Sequence, residues 1–106
     1  MKKIKIEDIE QIRIIGKTFK LKLEDSLIHD NELQYGLCEV GKCLISVSNS
    51  QCQEQKKDTL IHECAHAIAD AMGVDVPEHH ILVLSTGIYA WMRENPELIQ
   101  WIMQND

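Results

Sequence analysis

The chain has 106 residues, 44% of them hydrophobic and 26% charged, with only 5 Gly and 2 Pro, which excludes a disordered or collagen-like polymer. Eleven basic against 17 acidic residues leave a net charge of −6, which excludes a broad nucleic-acid-binding face of clustered Lys and Arg. The basic start Met1-Lys2-Lys3-Ile4-Lys5 is broken by Glu7, Asp8 and Glu10 before any export-signal apolar segment, and the longest aliphatic run is only Ile81 to Leu84. These features predict one domain over residues 1–106, cytoplasmic and without membrane contact, whose modest core gains from a bound metal.

The elements fall in two halves. Ile12, Ile14 and Ile15 precede a Gly16-Lys17 turn, and Thr18 to Leu23 alternates polar and apolar as a half-buried strand does. Glu24 to Asn31 is polar and predicts a loop. Leu33 to Cys38 and Cys43 to Ser48 bracket Gly41 and predict a second hairpin. The first half is thus expected to form an antiparallel sheet of three to four strands. Of the four cysteines, Cys38 and Cys43 are placed to face each other across that hairpin. With no export signal, Cys38, Cys43, Cys52 and Cys64 are expected as free, small hydrophobic side chains.

The second half is helical. Ser48 with Gln51, or Ser50 with Gln53, fits a capping box, and a helix can run from there to Met72, where Gly73 stops it. Ile61, Cys64, Ala65, Ile68 and Met72 repeat at helical spacing and predict its buried stripe. Pro77 opens a second helix with Ile81, Leu84, Ser85, Ile88 and Met92 on one face. Asn95-Pro96 ends it and starts a short third helix whose Leu98, Ile99 and Ile102 are expected on the core.

The chemistry sits in His62-Glu63-Cys64-Ala65-His66, an H-E-x-x-H motif inside the strongest helix. Residues i and i+4 share a helix face, so two imidazoles can reach one zinc ion, while Glu63 beside them can take a proton from the attacking water as general base. A catalytic zinc site needs a third protein ligand, and Glu78, His79 and His80 are the candidates. Glu78 lies on the same side of its helix as Ile81 and Ser85, His79 points nearly opposite and His80 lies at the flank, which favours Glu78. Tyr35, Tyr89, His79 and His80 are the available groups for holding the oxyanion. Asp70, four residues after His66, is placed to orient an imidazole, although a solvated charge is the plainer reading. His29 sits in a polar loop without a role.

Several segments resemble the small zincin metallopeptidases of phages and mobile elements in Gram-positive bacteria, related to the minimal gluzincins and the ImmA/IrrE type. They are the Ile15-Gly16-Lys17-Thr18-Phe19-Lys20-Leu21 strand pair, Tyr35-Gly36, Thr59 to Ile68, Glu78-x-x-Ile81-x-x-Leu84-Ser85-x-Gly87-Ile88-Tyr89, and Glu94 to Leu98. The resemblance implies a zincin-like α+β fold, with the small antiparallel sheet packed on the motif helix, a second ligand-bearing helix and a short C-terminal one. It also implies His62, His66 and Glu78 as zinc ligands, Glu63 as general base, and a peptide or protein substrate. An extended peptide is expected to add to a sheet edge, the Leu44 to Ser48 strand being the candidate. The competing reading is a binding or regulatory module in which the metal only staples the fold.

Overall fold

The computed structural model describes residues 3–106, so Met1 and Lys2 of the basic start lie outside the described residues. Strands β1 (Gln11–Ile14) and β2 (Lys17–Glu24) form the expected first hairpin. Its two-residue turn puts Ile15 and Gly16 at φ 46° and 78°, the left-handed pair that matches strand twist. The Arg13 guanidinium closes the turn, donating to the Thr18 hydroxyl and the Gly16 carbonyl. The stretch expected as loop, Glu24 to Asn31, carries β3 (Ile28–His29), which turns through Asp30 and Asn31 to pair with β4 (Glu32–Leu33), so Leu33 belongs to this ribbon and not to the strand expected from Leu33 to Cys38.

Strands β5 (Gly36–Glu39) and β6 (Leu44–Ser48) form the second hairpin, joined by a 3₁₀ turn over Val40–Lys42. Cys38 lies opposite Ile45, while Cys43 sits in the turn at φ 50°, so the two thiols do not face each other. All four cysteines are free. The sheet is mixed and not antiparallel as expected: its order is β1-β2-β6-β5, and β6 runs parallel to β2, with Leu21 opposite Ile45 and Leu23 opposite Val47. The chain leaves β2, crosses through the β3–β4 ribbon to the far edge, lays down β5 there, and returns inside it as β6. Burial explains which hairpin strand takes the inside. Ile45 and Val47 are enclosed on one face and Ser46 and Ser48 on the other, whereas β2 carries Lys20 and Lys22 on its open face. Two small serines at those alternate positions suit a strand with no wet side.

Helix α1 (Gln53–Ala71) lies across the sheet and completes a core of Ile14, Phe19, Leu21, Ile45, Val47 and Ala67. Neither capping box forms. Cys52 precedes the helix without a side-chain cap; Ser48 and Ser50 share a hydrogen bond instead. The Gln51 amide donates to the Tyr35 and Ser48 carbonyls and accepts from the Thr59 hydroxyl at 2.6 Å, which ties β5, β6 and α1 together. At the other end Gly73, at φ 71°, turns the chain as expected: Val74 N–H reaches the Ala69 carbonyl and Gly73 N–H that of Asp70.

The buried line of α1 is Lys56, Thr59, Glu63 and Ala67, with Leu60 and Cys64 half-buried beside it; Ile68 and Met72 of the expected stripe are exposed. Helix α2 (Glu78–Glu94) folds back antiparallel to α1, as Ser85 against His62, Thr86 against Asp58, and Tyr89 and Arg93 against Glu54 show. Of its expected inward face only Ile81 and Ser85 are buried; Leu84 is 58% and Ile88 47% exposed. The physical reason is position. α1 separates α2 from the sheet, so α2 has one large neighbour and a second apolar face that nothing covers. The short α3 (Pro96–Met103) buries little beyond part of Ile99, and its Leu98, Trp101 and Ile102 are exposed, not docked on the core. Among the described residues no helix is long and apolar enough to cross a membrane.

Candidate metal centre

The α1–α2 hairpin brings His62, His66 and Glu78 together, with one ligand atom from each within 4.8 Å of the others. The i, i+4 spacing stacks the two imidazoles on one face of α1, edge to face, with ring centroids 4.9 Å apart. Glu78 opens α2 directly above them. Its Oε1 lies 2.8 Å from His62 Nε2 and its Oε2 2.7 Å from His66 Nε2. Three convergent donors, two imidazole nitrogens and one carboxylate, form a set able to hold a metal ion, and this donor chemistry suits several transition metals, zinc among them. His79 and His80 are exposed on α2 and belong neither to this group nor to the cleft beside it.

Ser85 fixes the orientation of one imidazole. Its side chain is almost wholly enclosed, and its oxygen lies 3.3 Å from the Leu82 carbonyl and 3.4 Å from His62 Nδ1. With its proton on Nδ1, His62 donates to a Ser85 hydroxyl that itself donates to the carbonyl, and Nε2 is then free for a cation shared with Glu78; with no cation between them, the 2.8 Å contact is an Nε2–H donating to the carboxylate. No hydrogen bond joins Asp70 to His66 among the described residues, and exposed Asp70 fits the solvated reading. His29 stands on the β3–β4 ribbon beside Asp30, outside the cleft.

Glu63 differs from its neighbours in being turned into the protein, and only 8% of it is exposed. Burial pushes its carboxyl up to about 7, opposed by the His62 charge and reinforced by that of Glu78. What makes room for it is Gly36 on β5. A Cβ there would fall 2.5 Å from Thr59 Cγ2 and 2.9 Å from Glu63 Oε2. In the sequence Gly36 and Thr59 stand out only within the resembling segments and Gln51 only as a capping partner; their part in enclosing Glu63 depends on β5 meeting α1 more than twenty residues later, which no local pattern carries. Gly36→Ala is expected to destabilise the fold by about 1–3 kcal/mol in urea titrations, the usual cost of overpacking. Thr59→Ser, which removes Cγ2 and keeps the hydroxyl on Gln51, should recover part of that loss in the double variant; equal stability of wild type and Gly36→Ala would refute the close contact.

The three donors and Glu63 line a cleft of about 860 Å³ that runs between β5 and the α1–α2 connection. β5, not β6, is the sheet edge that faces it. The Ser48 N–H to Tyr35 carbonyl bond and the register make Leu37–Ser46 and Glu39–Leu44 the hydrogen-bonded pairs, so the backbone groups of Gly36 and Cys38 point outward, to the free edge. The expectation that Leu44 to Ser48 offers an edge is thereby corrected, because β6 is paired on both sides. Tyr35 stands exposed on the cleft. Tyr89 is elsewhere: its hydroxyl donates to Glu54 and accepts from Arg93. Asp58, Glu63, Asp70, Asp75 and Glu78 make the cleft acidic, with no Lys or Arg among the described residues lining it. The thiols of Cys38 and Cys64, both raised to about 11 chiefly by burial, offer no nucleophile at neutral pH. Comparison of the chain with protein-family models, curated proteins and solved structures gives no match.

Proposed function

We propose that the chain is a zinc-dependent metallopeptidase of zincin type, as its resemblance to the small phage and mobile-element enzymes implies. The observation that carries this reading is the convergence of His62, His66 and Glu78 on a cleft that also holds a buried carboxylate and a free strand edge. Three protein ligands, with His79 and His80 out of reach, leave room for substrate or water, which favours a catalytic over a closed structural site. A divalent ion held there supplies Lewis acidity to the scissile carbonyl and to the attacking water.

The rest is done by the chain itself. Glu63 takes a proton from the attacking water and returns it to the leaving amine, the role its place beside the donor group suits. An extended peptide pairs with the outward backbone groups of Gly36 and Cys38, which sets the strand alongside the ligand group. Tyr35, the phenol that lines the cleft, donates to the developing oxyanion. Asp58, Asp70 and Asp75, the cleft carboxylates other than the ligand and the base, favour peptides with Lys or Arg flanking the cut bond.

The test is cleavage of a quenched-fluorescence peptide library by zinc-loaded protein. Turnover is expected with basic peptides, lost on chelation and restored by zinc. Stoichiometric zinc binding without turnover of any peptide would favour the metal-stapled binding module.

A further inference from the structure

We infer that the uncovered face of α2 is an interface between two copies of this chain, packed antiparallel about a two-fold axis at Gly87. At 3.6 residues per turn, His80, Val83, Leu84, Gly87, Ala90, Trp91 and Glu94 all fall within about 60° of Gly87 around the helix axis. That face is opposite the one carrying Glu78 and Ser85, so pairing through it leaves the metal centre and the cleft open. Val83 is 57% exposed, Leu84 58% and Trp91 43%. With Ile88 at the flank, these side chains expose on the order of 400 Å² of apolar surface, the size of the largest patch on a typical monomer.

Three features favour a second copy as the occupant. Gly87 sits one residue from the middle of the 17-residue α2, and a Cβ there would meet nothing within 4 Å. A glycine in the interior of an exposed helix is unfavourable in a lone molecule, but it lets a second helix approach closely. About an axis at Gly87 the remaining residues are self-complementary: Val83 meets the partner's Trp91, and bulky Leu84 meets the partner's small Ala90. The ends match as hydrogen-bond donor and acceptor. Residues seven before and seven after Gly87 are His80 and Glu94, so each Glu94 carboxylate lies on the first turn of the other α2, where an imidazole N–H donates and the helix dipole attracts an anion. Neither His80 nor Glu94 has an ion-pair or hydrogen-bonded side chain among the described residues that this contact would have to break. A membrane suits the face less well. The chain carries −6, and the one basic residue in the last turn of α2, Arg93, is held by Glu54.

With on the order of 400 Å² of apolar surface from each copy, the pairing lies at the small end of specific interfaces, and a dissociation constant in the micromolar range is expected. The experiment is sedimentation equilibrium of the whole zinc-loaded chain from about 1 to 200 µM, the range in which such an interface half-assembles. Wild type is expected to pass from monomer to dimer. Gly87→Arg, a better helix former that sets two like charges against each other on the axis, should stay monomeric while its far-ultraviolet dichroism and melting show an intact fold. Glu94→Lys should weaken the dimer at least tenfold, and adding His80→Glu to it should restore assembly. A Gly87→Arg protein that still dimerises would overturn the pairing through α2, and a wild type monomeric throughout would overturn the dimer. In the latter case, sedimentation with phosphatidylcholine vesicles would assign the face to lipid, and its absence to a different protein.

Discussion

Replacing Glu78 with Ala should cost the protein more zinc affinity than any other change outside the two histidines. Both carboxylate oxygens are engaged, 2.8 Å and 2.7 Å from the two imidazoles, and no other acidic or imidazole group joins the three-residue set. Losing one of three protein ligands leaves two histidines on a single helix, which hold an ion far less firmly. Changes to groups that merely support a ligand lower affinity by about 10–100-fold. Glu78→Ala is expected to exceed that range, whereas His79→Ala and His80→Ala should fall below it. Ser85→Ala, which removes only the acceptor at His62 Nδ1, should lie between. The measurement is zinc competition against a chromophoric chelator for the four variants. Should His79→Ala or His80→Ala empty the site, the carboxylate assignment fails and the centre is a three-histidine one.

The ligand group could be read from the chain because the contacts that build it are local and punctuated. His62 and His66 are four apart on one helix, Gly73 and Pro77 mark where the chain turns, and Glu78 stands at the next helix's first turn. Each step obeys a rule of spacing. The sheet is different. Which strand of the β5–β6 hairpin lies inside depends on pairing with β2 some twenty residues earlier, and local alternation is the same for either choice. Only the serines at 46 and 48 in place of charged residues hint at the enclosed position.

The helix faces were misjudged for a related reason. Periodicity reports that a helix has an apolar face; it does not report whether that face meets this chain or something else. On α2 two apolar faces overlap, one through Ile81 and Ser85 toward α1 and one through Leu84, Ile88 and Trp91 toward nothing in the chain. On α1 the most enclosed positions include Thr59 and Glu63, polar residues that no hydrophobic pattern selects. Glu63 is buried because Gly36 lets the sheet edge close over it, and that closeness is set by tertiary packing.

Glu63→Gln separates the roles of this carboxyl in two measurements that move in opposite directions. In the zinc-loaded protein, loss of a general base should lower peptide hydrolysis by about 10²–10⁴-fold while zinc binding persists, because Glu63 is not one of the three convergent donors. In the zinc-free protein the same substitution should stabilise. The folded carboxyl titrates at about 7 against 4.5 when exposed, so folding favours its protonated form. That preference is fully present below pH 4.5, and it is lost as pH rises through 7, when ionising a buried carboxyl costs on the order of 3 kcal/mol. Gln has nothing to ionise. The wild-type apoprotein should therefore lose stability between pH 4.5 and 7 relative to Glu63→Gln, and at pH 8 the variant should melt on the order of 10 °C higher, while near pH 4 the two should melt alike. Melting curves across that pH range in the presence of a chelator supply the comparison. Equal melting at pH 8 would mean that solvent reaches Glu63 in the free protein, and a variant that lost zinc together with activity would make Glu63 a ligand instead of a base.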